Sequence, residues 1–291
     1  MIWLGEKRGY LTDWTTQLWV AATGRTTSLA ETPWLAGPVG DTRRIGADCF
    51  REIAAREGLS IHDGPSSRGI VPDFGVLEGP QFRASDVAEG VRHFYEHTAA
   101  YELDAWAEWC GAFRPFGWLL AVLFSRRLQQ LNVPLSGLDT SRGLTNSVWH
   151  LVDTPSNSCR YAVWVRHLVG SGDTLYAGSY GPSQVPGWNG PCLKVTFPLP
   201  NGNAHVIMKP IVHEDGSVSL VSSGRRFGDP GFYFTVHRDD DRLFARYVPT
   251  MRETIRVYEA GTHEARADHT LTLWGFVFLR LHYRLRRLQG L

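Results

Sequence analysis

At 291 residues and 32.6 kDa, the chain is long enough for one large domain or two ordinary ones. Its 43% hydrophobic and 20% charged content excludes a disordered chain. A formal charge of +1, from 30 basic against 29 acidic residues, removes the electrostatic case for a nucleic-acid partner. Among the basic residues only Lys7, Lys194 and Lys209 are lysines, so positive charge here means arginine, the better bidentate partner for carboxylates.

The segment from Met1 to Arg8 places charge where a secretory leader needs an apolar run, which predicts a cytoplasmic protein. Cys49, Cys110, Cys159 and Cys192 are widely spaced without a CxxC pair, so reduced thiols are expected rather than a zinc knuckle. Residues 1–83 read as an irregular N-terminal segment rich in turn formers. One short helix is predicted over 46–57, with Cys49, Phe50 and Ile53 on one face. Residues 63–80 carry Gly-Pro and Pro-Asp steps and read as loop.

Residues 84–135 read as a helical hairpin. Ser85 suits an N-cap, and Val87, Val91, Phe94, Thr98, Tyr101, Ala105 and Trp109 recur at helical spacing until Gly111. Pro115 opens a second helix, predicted over 116–131 and closed by Asn132 and Pro134. The longest apolar stretch, 116–124, is far short of the roughly 20 residues that span a bilayer.

From about Gly143 the period changes to two. Strands are predicted over 147–152, 161–169, 174–180, 193–197, 204–212, 217–222, 232–237, 243–258 and 265–283, the last two long enough to break near Pro249 and Gly275. The connections are short turns such as Asn201-Gly202 and Asp215-Gly216, so neighbours should pair antiparallel. The fold class is therefore α+β. The expectation is an antiparallel β-barrel over 143–291, lipocalin-like, with a START-like helix-grip sheet as runner-up and a β-sandwich third.

Several motifs carry possible chemistry. His93-Phe94-Tyr95-Glu96-His97 is an H-x-x-E-H string. On a helix, His93 and His97 share a face and can chelate zinc with Glu96 as base, making a zinc hydrolase one alternative; the competing reading is a solvated helix edge. A third ligand, required for such a site, is not visible in the sequence. No phosphate-binding or nucleophile-elbow motif is complete, and no cofactor or metal is called for. In the barrel, alternation puts Glu253 on the face of Met251, Ile255 and Val257, and His269 on the face of Ala267, Leu271 and Leu273. With a turn centred on Gly261 the two are directly opposed, with Cβ atoms about 4.5–5.5 Å apart. That pair suits acid–base catalysis; equally, it could be a structural hydrogen bond.

Tyr233 is a weaker third donor. Arg225 or Arg226, in a glycine-rich loop, could clamp a carboxylate or stiffen the turn by pairing with Asp229. Trp149, Trp164, Tyr176, Tyr180, Trp188 and Met208 are candidate pocket walls, although core filling explains the strand tryptophans as well. The tail from Leu279 to Leu288 alternates apolar and basic residues as a two-faced edge strand would, and no membrane contact is expected of it. The segments Phe94-Tyr95-Glu96-His97-Thr98, Arg114-Pro115-Phe116-Gly117-Trp118 and Ser125-Arg126-Arg127-Leu128-Gln129-Gln130-Leu131-Asn132 resemble a bacterial family of uncharacterised proteins; the resemblance implies no activity or site. The functional expectation is a cofactor-independent isomerase or cyclase acting on a hydrophobic small molecule inside the barrel. The alternative is a non-catalytic carrier of such a ligand.

Overall fold

The computed structural model describes residues 11–40, 45–63, 68–113, 115, 143–170, 172, 174–239 and 242–288. Within them the change of period near Gly143 becomes a run of antiparallel strands, and these close into a ten-stranded barrel. The ring takes up β3 (Tyr101–Trp109), β4 (Leu144–Asp153), β5 (Ser158–Leu168), β6 (Thr174–Ser183), β7 (Cys192–Leu199) and β8 (Gly202–Val212). It continues through β9 (Val218–Val221), β12 (Met251–Gly261), β13 (Glu264–Leu273) and β14 (Phe276–Arg287), which returns to β3.

Closure depends on a change of partner along β8. Its first half, from Gly202 to Ile207, pairs with β10 (Gly231–His237), and its second half, Lys209 to Val212, pairs with β9. β9 then meets β12 through Thr254↔Val221 and Val257↔Val218. β10, β11 (Arg242–Val248) and β1 (Arg25–Ser28) extend the sheet outward from β8. Pro249 and Thr250 separate β11 from β12, and Trp274 and Gly275 separate β13 from β14, so the two long predicted strands are each broken at the expected places.

The first of the two predicted helices stops early, and its second part is strand. α3 spans Glu89–Glu96, and β3 begins at Tyr101. Val91, Phe94 and Tyr95 bury one helical face, but from Tyr101 the burial alternates, with Tyr101, Leu103 and Ala105 inside and Glu102 and Trp106 outside. Pairing with β14 over nine residues, Tyr101↔Arg287 to Trp109↔Leu279, outweighs the strong helix propensity of Glu and Ala there. The second predicted helix, over 116–131, lies outside the described residues.

The N-terminal segment is more ordered than its turn-rich sequence suggests. α1 (Leu11–Thr23) packs on β11 and β10, and β1 and β2 (Leu59–Asp63) add to the sheet. The predicted short helix is α2 (Asp48–Glu57), closed by Gly58 at φ 67°. Its buried face of Cys49, Phe50, Ile53 and Ala54 covers the outside of β4–β6 at Trp149, Leu151, Val163, Val165 and Ala177. Each large side chain buried there stabilises the fold by about 1.5–3 kcal/mol. These strands are therefore apolar on both faces. Residues 70–77 and α3 close one end of the barrel: Ala88 N–H donates to Gly216 O, and Ile70, Phe74, Val91, Phe94 and Tyr95 join the interior core.

Candidate functional site

The barrel interior is not filled by its side chains. A cavity of about 210 Å³ remains, with walls that are mostly apolar: Leu103, Leu193, Val195, Val206, Met208, Leu220, Phe232, Ile255, Leu271 and Leu279 among them. Ile70, Phe94 and Tyr95 form its capped end. Among the described residues of the barrel wall, Arg166, Tyr176, Tyr180, Glu253, His269 and Tyr283 bring polar side chains to the same space.

Glu253 and His269 come together as the alternation predicts, on a different register. β12 and β13 pair Glu253 with Leu271 and His269 with Ile255, so the two are diagonal neighbours. The hairpin centres on Thr262 rather than Gly261, with a register shift between Glu259 and Gly261. A shift of two positions keeps both side chains on the inner face. His269 Nε2 lies 3.2 Å from Glu253 Oε2, and both side chains are buried. The approach lacks hydrogen-bond alignment, leaving Nε2 unpartnered. The Glu253 backbone is fixed by Ser222: Glu253 N–H donates to Ser222 Oγ at 2.8 Å, and Ser222 N–H to Glu253 O at 3.0 Å.

From this pair, contacts continue across the barrel. The His269 ring stacks near Tyr283 at 6.5 Å between centroids. The Arg166 guanidinium lies beside Tyr283, and its central carbon sits 4.1 Å from the Trp164 ring centroid and 4.7 Å from that of Tyr176. Trp164 is held by Asn146, whose Oδ1 accepts from the indole N–H and whose Nδ2 donates to Thr98 O and Tyr101 O. Burial raises the pKa of the three tyrosines on the barrel wall: Tyr176 well above the usual 10, Tyr180 to about 12, and Tyr283 upward. They therefore stay neutral phenols, able to donate to a ligand oxygen.

Of the expected pocket walls, Trp164, Tyr176, Tyr180 and Met208 line the cavity. Trp149 does not: it faces outward against α2, where Arg51 lies over its ring at 4.7 Å. Trp188 packs in a second outer cluster with Leu35, Val185 and Tyr247, its ring under Lys209 Nζ at 4.7 Å. Tyr233 also belongs to that outer cluster; its hydroxyl donates to Asp229 O and accepts from Gly228 N–H, so it reaches no cavity, although its neighbour Phe232 does. Arg225 and Arg226 are exposed. Their backbone N–H groups both donate to Asp229 Oδ2, and the loop is thereby stiffened as a turn rather than aimed at the cavity.

The H-x-x-E-H string is helical up to Glu96, and the His93 and His97 rings lie 4.5 Å apart. Glu96 Oε1, however, accepts from Phe74 N–H at 2.8 Å, and His93 Nδ1 is 3.0 Å from the Tyr101 hydroxyl. Among the described residues no group of three or more His, Cys, Asp or Glu side chains is placed to hold a metal. The carboxylate needed as base is occupied locally, and no described residue supplies the third ligand.

Arg166 and Tyr283 are the polar cavity residues that the sequence reading does not single out. No family model matches the chain, and no solved structure matches it significantly. It is 25% identical over 253 residues to a curated protein of Bacillus subtilis (strain 168) called "Uncharacterized membrane protein YndJ", a match covering 84% of this chain. The chain spans 41% of that relative's length. Among the described residues no helix is long and apolar enough to cross a membrane.

Proposed function

We propose that the barrel binds a small, largely apolar molecule in its interior, a lipocalin-like use of the fold, and moves a proton on it as a cofactor-independent isomerase or cyclase. The observation that carries this is the meeting of Glu253 and His269 on the wall of an otherwise apolar cavity. The Glu253 carboxylate takes a proton from a carbon made acidic by a neighbouring carbonyl, and His269 returns one at a second position. The neutral tyrosines donate to the oxygen on which charge develops, in a space whose apolar walls strengthen each such bond.

The second reading is a carrier with the same chamber. It is favoured by the predominance of Leu, Val and Phe in the walls. Both readings require a guest. Ala267 lies on the cavity wall between Glu253 and Tyr283 in the ring, and phenylalanine there would occupy the chamber. Native mass spectrometry of protein isolated from its source organism should show a bound small molecule, lost in Ala267→Phe. A wild-type protein without a guest, which also fails to bind small aromatic probes, would count against both readings.

A further inference from the structure

Arg166 is 6% exposed and lies on the cavity wall, deep in β5. Burying a guanidinium costs several kcal/mol unless a counter-charge and hydrogen bonds offset it. What it has is partial: its central carbon sits over the rings of Trp164 and Tyr176, and a neutral phenol, Tyr283, lies beside it. Its Nε is buried with no hydrogen-bond partner, and no carboxylate among the described residues lies within ion-pair distance of it. Among the described residues the one carboxylate lining the cavity, Glu253, faces His269 instead. Two aromatic rings hold the guanidinium on the cavity wall before any ligand arrives.

We propose that the guest of this cavity carries a carboxylate on an aromatic or unsaturated body, and that Arg166 is the residue that docks it. The inference rests on the reading of the barrel as a binding chamber and adds the ligand's chemical class. A carboxylate beside Arg166 supplies the missing counter-charge and accepts from the guanidinium. Tyr176 and Trp164 then offer flat apolar surface to a ring attached to it. Glu253 and His269 are left free at the other side of the chamber, facing the body of the guest rather than its anchor.

The test is calorimetry with two probes of the same shape, 2-naphthoate and its neutral isostere 2-acetylnaphthalene. Charge-assisted bonds to the guanidinium predict that the wild type prefers naphthoate by about tenfold or more. This comparison needs no variant. In Arg166→Met the preference should fall to within about twofold, with acetylnaphthalene still bound, and Arg166→Lys should retain part of it. Equal affinities in the wild type, or an undiminished preference in Arg166→Met, would overturn the role of Arg166 while leaving the chamber intact. If neither probe binds the wild type, the chamber reading itself fails and this inference with it.

Discussion

Glu253 and His269 sit two rungs out of register on β12 and β13 and still bring Oε2 and Nε2 to 3.2 Å, because the diagonal of an antiparallel pair stays on one face of the sheet. Burial makes each member of such a pair depend on the other to offset its desolvation. Removing one member leaves the other buried without a partner, which costs about 3–5 kcal/mol, whereas replacing both with apolar residues of similar size is close to neutral. His269→Leu should therefore destabilise the protein more than the double variant Glu253→Leu/His269→Leu does. Urea denaturation of the two single variants and the double would measure the coupling. Additive effects would mean that the two groups do not interact in solution.

Sequence alternation is enough to find Glu253 and His269, since β12 carries a visibly polar outer face through Arg252, Thr254 and Arg256. β5 hides Arg166 from the same logic. Val163 and Val165 are as apolar as Trp164, because α2 covers the outer side, so neither face of the strand is marked as the inner one. β3 misleads for a different reason. Tyr101, Ala105 and Trp109 are four apart, a spacing that fits both a helix and every second step of a strand. Leu103, buried between them, satisfies only the strand. The outer placement of Trp149 and Tyr233 is likewise a tertiary fact: Trp149 lies against α2, a helix legible in the sequence whose docking place is not, and Tyr233 lies against the loop at Gly228 and Asp229.

The pH dependence of stability should be dominated by histidines buried in neutral form. His205 is fully buried, with Nδ1 3.0 Å from Thr196 Oγ1 and Nε2 3.4 Å from Thr235 Oγ1, and burial holds its pKa well below 6.5. Burial lowers His150 and His167 as well. The unfolded chain therefore takes up protons near pH 6.5 that the folded chain does not, and stability is full above that pH and declines below it. Urea midpoints measured from pH 7.5 to 5 should fall, and His205→Asn should flatten the fall by up to about 1.4 kcal/mol per pH unit. A midpoint that rises on acidification would contradict this assignment.

The start of β8 depends on the absence of a side chain at Gly202. A Cβ there would meet the Thr235 carbonyl oxygen on β10, well inside van der Waals contact. The clash is with backbone on a paired strand, which has little room to move. Gly202→Ala should cost about 1–3 kcal/mol, at the upper end of that range, and lower the thermal midpoint. Gly261, with open space around its Cβ direction, is the control: Gly261→Ala should change stability by less than about 0.5 kcal/mol.

Proton transfer inside the chamber can be read directly with 2-tetralone, an aromatic ketone whose α-protons exchange with solvent only through its enol. NMR in D₂O should show the wild type accelerating deuterium incorporation. Glu253→Gln and His269→Asn should each lose about a hundredfold or more of that acceleration while tetralone still binds. Exchange in the wild type no faster than in buffer, or equal exchange in all three proteins, would contradict the assignment of Glu253 and His269 as an acid–base pair.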